Sequence, residues 1–132
     1  MREGMGKYRG KDLKTGEWVY GFHTRDTINY KLSDVIEELK SDDNQGFWTK
    51  IAYEVDPATV GQETGKSNLH GQGIYEGDNI GDDFGNAIVF WSDKYSDWRV
   101  VSDAGEHTLF NYLVEIDCEV IGTIHDKPEL VK

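Results

Sequence analysis

Fifteen glycines in 132 residues break this chain into apolar runs no longer than Ala87-Ile88-Val89-Phe90-Trp91, and no other feature narrows its fold so far. From Gly61 to the C-terminus the runs follow one another closely, with strands expected over 60–64, 78–81, 87–91, 98–102 and 119–124. Gly65, Gly71, Gly73, Gly77, Gly85, Gly105 and Gly122 separate or bend them, because glycine enters the backbone conformations that tight turns use. Strands at this spacing, with no long helix between them, have to pair antiparallel. Residues 61–132 are therefore expected to form a small SH3-like or partly open antiparallel β-barrel, within a mainly β chain that has one short helix.

The first sixty residues read β-β-α-β. A hairpin is expected from 7–9 through a turn at 12–16 into 17–22, where Gly16 supplies the turn and Trp18, Tyr20 and Phe22 alternate onto one face. Those three aromatics are candidate interface residues, since such a face needs a partner surface. Leu32, Val35, Ile36 and Leu39 then fall at i, i+3, i+4 and i+7, which predicts a helix over 31–44. Ser33 would cap it, with Asp34, Glu37 and Glu38 near its positive end and Lys40 near the other, and Asn44-Gln45-Gly46 would stop it. Alternation returns with Phe47, Thr49, Ile51, Tyr53 and Val55, a strand that ends at Asp56-Pro57. Residues 109–113 read as a single helical turn. Two portions follow from this pattern, 1–60 and 61–132.

Twenty-five acidic residues against fourteen basic ones give a formal net charge of −11. A duplex-binding surface needs clustered lysine and arginine, and here basic residues stand singly among acids, so direct nucleic-acid binding is not expected. The longest apolar run is far below the roughly 20 residues of a membrane-spanning helix, and the N-terminus lacks the layout of a secretory signal, so a soluble cytoplasmic protein is expected. The single cysteine, Cys118 between Ile116 and Val120, excludes an internal disulfide and reads as a core strand residue.

Catalytic patterns are missing. Ile74-Tyr75-Glu76-Gly77-Asp78-Asn79-Ile80 is turn chemistry of the kind that opens a strand in small barrels, which gives Glu76 and Asp78 structural duty. Asp82 and Asp83 lack the ligand series of a calcium loop, and His23, His70, His107 and His125 lie too far apart for a zinc motif. No metal or cofactor is expected. A Cys118–His125 dyad would lack a nucleophile motif or oxyanion hole. Four Trp, seven Tyr and five Phe exceed what so short a chain can hide, so some must lie near the surface as protein-interface groups. Basic and aromatic residues interleave only at Lys94-Tyr95-Ser96-Asp97-Trp98-Arg99, which reads as a packed hairpin.

Four stretches, taken in order, resemble the YopX family of phage and prophage proteins. They are Tyr8-Arg9-Gly10-Lys11-Asp12 with Gly16-Glu17-Trp18-Val19-Tyr20-Gly21, then Val60-Gly61-Gln62-Glu63-Thr64-Gly65, Ile74-Tyr75-Glu76-Gly77-Asp78, and Cys118-Glu119-Val120-Ile121-Gly122-Thr123-Ile124. The resemblance extends to the tail Asp126-Lys127-Pro128-Glu129-Leu130 and weakens over 24–52. It implies a β-rich fold with a C-terminal barrel, a source in a tailed phage or prophage, and a homo-oligomer. It brings no established activity and no catalytic residues, so Gly16, Gly61, Tyr75, Glu76, Gly77, Asp78 and Gly122 take structural roles at turns and family motifs. The loop 66–73 departs from the usual lysine-rich version in having His70 and Gln72. The reading favoured is a nonenzymatic accessory protein that self-associates and binds a host or phage protein in the host bacterial cytoplasm. Two alternatives stand beside it: an acidic inhibitor occupying the nucleic-acid site of a host enzyme, and a hydrolase using Glu76, Asp78 or a histidine.

Overall fold

The computed structural model describes residues 7–42, 46–83 and 85–125. The expected stop at Asn44-Gln45, Phe84 and the tail 126–130 lie outside them. The chain is mainly β and divides into two compact units, one ending at Gln62 and the other beginning at Glu63.

The N-terminal unit contains β1 (Tyr8–Lys11), β2 (Trp18–Ile28), β3 (Lys31–Asp42) and β4 (Phe47–Glu54), paired antiparallel in the order β4-β3-β2-β1. In the β1–β2 turn, Asp12 N–H donates to the Glu17 carbonyl at 2.9 Å and Gly16 N–H to the Asp12 carbonyl at 2.8 Å. The end of β4 returns to β1 through an isolated Asp12–Val55 bridge, and Val55 is 1% exposed. A 3-10 turn, Pro57–Thr59, locks this return: Lys11 N–H donates to Thr59 Oγ1 at 2.8 Å, and Asp56 Oδ1 accepts from Ala58 N–H at 3.0 Å. Gly61 and Gln62, which open β5 (Gly61–Ser67), then pair with Arg9 and Tyr8 of β1.

Residues 31–42 are a strand, not the expected helix, so the order is β-β-β-β where β-β-α-β was expected. Two forces outweigh the helical spacing. Asn29 and Tyr30 take positive φ (53° and 65°), which makes a two-residue hairpin turn of the kind whose twist matches the flanking strands. β3 is then hydrogen-bonded along both edges, to β2 over 22–28 and to β4 over 47–54, so both edges of its backbone are satisfied without a helix. The β-branched neighbours Val35 and Ile36 point to opposite faces and are both buried, while Leu32 and Leu39 of the supposed stripe are exposed. Ser33, the expected cap, is buried in the sheet.

In the C-terminal unit the remainder of β5 pairs with β6 (Gly73–Tyr75). A five-stranded antiparallel sheet follows, in the order β10-β9-β8-β7-β11, from β7 (Asp78–Asp82), β8 (Gly85–Ser92), β9 (Asp97–Ser102), β10 (Gly105–Thr108) and β11 (Glu119–Thr123). The expected barrel does not close: this sheet is open, with β10 and β11 at its two edges. The seven-residue helix α1 (Leu109–Glu115) supplies what closure would have supplied. Thr108 caps it, Oγ1 accepting from Asn111 N–H at 3.2 Å, and Leu109 and Leu113, one turn apart, enter the core. There they meet Ile74, Ile80, Ala87, Val89, Val100 and Cys118, each fully buried aliphatic side chain contributing about 1.5–3 kcal/mol.

Gly81 of β7 packs against the start of β8. A Cβ there would collide with the Gly85 carbonyl and lie 2.7 Å from Asn86 Cα, whereas a Cβ at Gly85 would meet nothing. Gly81→Ala is expected to cost about 1–3 kcal/mol, and Gly85→Ala far less. Thermal unfolding of the two variants checks this; equal losses would show that the Gly81 approach is not what limits packing.

Candidate functional site

The strand pairing sorts the N-terminal sheet into two faces, because directly opposed residues share a face. One face carries Trp18, Tyr20 and Phe22 from β2, Glu37 and Leu39 from β3, and Trp48 and Lys50 from β4, as the pairs Phe22–Glu37, Leu39–Lys50 and Ser41–Trp48 require. Trp18 is covered from β1 by the Arg9 guanidinium, 4.4 Å from its ring, and by Lys11 at 5.4 Å. Tyr20, Phe22, Leu39 and Trp48 are 41, 57, 53 and 69% exposed. Lys50 Nζ lies 2.9 Å from Glu37 Oε2, and that carboxylate holds the ammonium above its usual range. Among the described residues, the outer edge of β4 pairs with no further strand apart from the return at its end.

Of the three aromatics expected on this face, Trp18 is engaged within the sheet, and Tyr20 and Phe22 are exposed. Leu39 and Trp48 were missed. Leu39 falls on the helical stripe that the sequence predicts, and Trp48 alternates against the Thr49–Ile51–Tyr53 face.

The turn at 74–80 is held from within. Tyr75 N–H donates to Asp78 Oδ2 at 2.8 Å, and Asp78 is 1% exposed. Gly77 N–H donates to the Val89 carbonyl at 2.9 Å, and the Gly77 carbonyl accepts from Ile124 N–H at 3.1 Å. Gly77 has φ 87°, a conformation that selects glycine, while a Cβ there would meet only ordinary contacts, the nearest 3.5 Å from His125 Nε2. Tyr75 reaches Glu63 Oε2 with its hydroxyl at 3.3 Å. Gly122 follows a bulge in β11 that leaves Ile121 exposed.

The loop 66–73 is bound to the start of β11 and the residues just before it. Asn68 Nδ2 donates to the Cys118 carbonyl at 3.2 Å, His70 Nε2 lies 2.9 Å from Asp117 Oδ1, and Val120 N–H donates to Gln72 Oε1 at 3.4 Å. His23 pairs with Asp34 at 2.8 Å. The Lys94–Arg99 segment spans the β8–β9 turn and the start of β9. There Arg99 stacks on Tyr95 at 3.8 Å and is held by Asp97 at 2.8 Å, while Trp91 and Trp98 meet edge to face at 5.2 Å.

A cleft of about 470 Å³ opens in the C-terminal unit between the β7–β8 and β9–β10 turns and α1. Asp82, Asn86, Asp103, His107, Tyr112 and Glu115 line it, and among the described residues no lysine or arginine does. Glu76 and Asp78, the carboxylates of the hydrolase alternative, are not in its wall. Among the described residues, no group of three or more His, Cys, Asp or Glu is placed to hold a metal ion, and no helix is long and apolar enough to cross a membrane. The charge is unevenly divided. Residues 7–62 hold eight basic and ten acidic side chains, and residues 63–132 hold five and fourteen.

The family model for YopX protein matches residues 7–132, and the chain belongs to the YopX family. No curated protein matches it.

Cys118 is fully buried in the C-terminal core, and burial pushes its thiol above the ordinary range, as it does the Tyr112 hydroxyl nearby. An activated nucleophile needs the opposite shift. Cys118 is expected to resist a water-soluble disulfide reagent in the native state and to react at once in denaturant. Both groups are harder to ionise folded than unfolded, so stability is full below their unfolded range. It should decline as the pH rises through about 8.5–10. Denaturant midpoints across that range check the sign; a native state that gains stability there would contradict the assignment.

Proposed function

We propose that this YopX-family chain is a self-associating, protein-binding module of a phage or prophage. In this reading it works without catalytic chemistry in the host bacterial cytoplasm, and two copies meet along the outer edge of β4 and the apolar face beside it. The observation that carries the reading is the patch of Tyr20, Phe22, Leu39 and Trp48 next to that edge. Single exposed apolar side chains are ordinary, but aromatics grouped on one sheet face mark interaction surfaces.

An edge strand presents backbone donors and acceptors that a second strand can satisfy. Antiparallel β4–β4 pairing across a two-fold axis is self-complementary, because each copy offers the other the same row of groups. Charge supports the choice of partner. The near balance of basic and acidic residues over 7–62 lets two copies approach there, whereas the acid excess of 63–132 would drive them apart. Within the patch, Lys50 and Glu37 already pair across strands, so a second copy meets little unbalanced charge.

A second reading, an acidic inhibitor of a host nucleic-acid enzyme, draws support from one observation: fourteen acids against five basic residues in 63–132. The two readings separate on competition, since double-stranded DNA would displace an acidic mimic from its target and leave β4 pairing unaffected.

Size-exclusion chromatography with light scattering tests the leading reading. A dimer or larger assembly is expected at micromolar concentration. Trp48→Asp and Phe22→Asp are expected to weaken it at least about tenfold, or about 1.4 kcal/mol. Val114→Asp, on the exposed side of α1, should leave it intact. A wild-type monomer at all concentrations, or an assembly indifferent to Trp48→Asp, would remove the proposal.

A further inference from the structure

We propose that the β2–β3 hairpin is a docking element whose tip, Tyr30, seats in an apolar, acid-rimmed pocket of a different protein. The first observation is conformational. Asn29 and Tyr30 are the two central residues of the turn, and both take positive φ, 53° and 65°. Glycine is favoured at the second of these positions, because a Cβ there crowds the backbone. A bulky tyrosine held in that region is an outlier, and such residues collect at functional sites. Nothing within the fold accounts for it: Tyr30 is fully exposed and has no hydrogen bond, ion pair or ring contact among the described residues.

Second, the chain builds a stalk for this ring. β1 registers with β2 only over 18–21, and β4 with β3 only over 35–42. Among the described residues, the rungs Arg25–Asp34, Asp26–Ser33, Thr27–Leu32 and Ile28–Lys31 therefore have no third strand beside them. At roughly 3.4 Å per residue, they carry the turn about 14 Å past the four-stranded region. From residue 25 to 32, all but Ile28 are exposed. The base is fixed: Asp34 Oδ1 lies 2.8 Å from His23 Nε2 and 3.6 Å from Arg25 Nε, and Val55 N–H donates to the Asp34 carbonyl at 3.0 Å. A ring presented from a fixed ribbon loses little freedom on docking.

Third, the tip defines its partner. It is convex, and Tyr30 with Leu32, 58% exposed, supplies apolar surface. The complement is a concave apolar pocket, where tyrosine is a common anchor. Lys31, adjacent to Tyr30, is exposed and has no ion pair among the described residues, whereas the one carboxylate of the tip, Asp26, accepts Thr27 N–H at 2.8 Å. The charge offered beside the ring is cationic, and an acidic rim complements it. A second copy is a poor host, since the cleft of its C-terminal unit is walled largely by polar side chains.

The proposal rests on the protein-binding half of the reading above and not on β4 pairing. Tyr30→Gly relieves the turn and is expected to raise Tm by about 2–4 °C. A fall in Tm would make Tyr30 a structural residue and overturn the proposal. A photoreactive benzoyl-phenylalanine placed at position 30 of the full chain, irradiated in lysate of a bacterial host carrying the phage, is expected to give one adduct with a different protein. Excess wild-type chain should compete this adduct away, and Tyr30→Gly and Leu32→Asp chains should compete at least about tenfold less well. The same group at Leu13, exposed in the β1–β2 turn at the other end of β2, should not form it. The proposal is disproved by the absence of an adduct, by an adduct with a second copy, by equal formation from position 13, or by equal competition from the Tyr30→Gly chain. Tyr30→Gly should keep the assembly seen by light scattering and Trp48→Asp should keep the adduct, so failure here and failure of self-association are distinguishable.

Discussion

Two backbone hydrogen bonds at Gly77 hold the C-terminal unit together. The N–H of this residue reaches the Val89 carbonyl and its carbonyl receives Ile124 N–H, so one glycine joins the middle of β8 to the chain just past β11. Around it, Asp78 is taken out of water and its carboxylate closes the turn on Tyr75 N–H. A buried carboxylate is tolerated only with such partners. With the turn held, β7 leaves it in register with both β8 and β11, and the core formed by Ile80, Val89 and Val100 can pack. Gly77 through its backbone and Asp78 through its carboxylate thus hold this turn.

The two units divide the electrostatic character of the chain. Most of the acid excess belongs to the part after Gln62, and the nearly balanced part carries the exposed aromatics. A net charge of −11 read as a single number suggests a molecule that repels its own kind. Resolved along the chain, the same number leaves residues 7–62 nearly balanced and concentrates the acid excess after Gln62, where acids line a cleft.

Most of the strands were legible because the alternation of side chains and the glycine turns are local signals. The β2 aromatics and the turn at Gly77 were found for that reason. The strand at 31–42 was not legible, since a spacing of i, i+3, i+4 and i+7 reflects two buried neighbours, Val35 and Ile36, flanked by leucines that end up exposed. Only pairing partners on both sides could distinguish that pattern from a helical stripe. The cleft was equally invisible. Its wall is assembled from two turns and a helix, and Asp82, Asp103 and Glu115 are separated in sequence by the core strands β8 and β9 and by most of α1.

The amino-acid sequence alone determined that this chain is mainly β, where its turns lie and which family it resembles, because each depends on residue type within a few positions. Tertiary structure alone decided that the C-terminal sheet stays open, that β3 is a strand and which aromatics remain exposed. Those outcomes depend on which distant segment satisfies a given backbone edge or covers a given face. The glycines that cut the chain mark where strands end, but α1, lying over the core between β10 and β11, is what removed the need for a closed barrel.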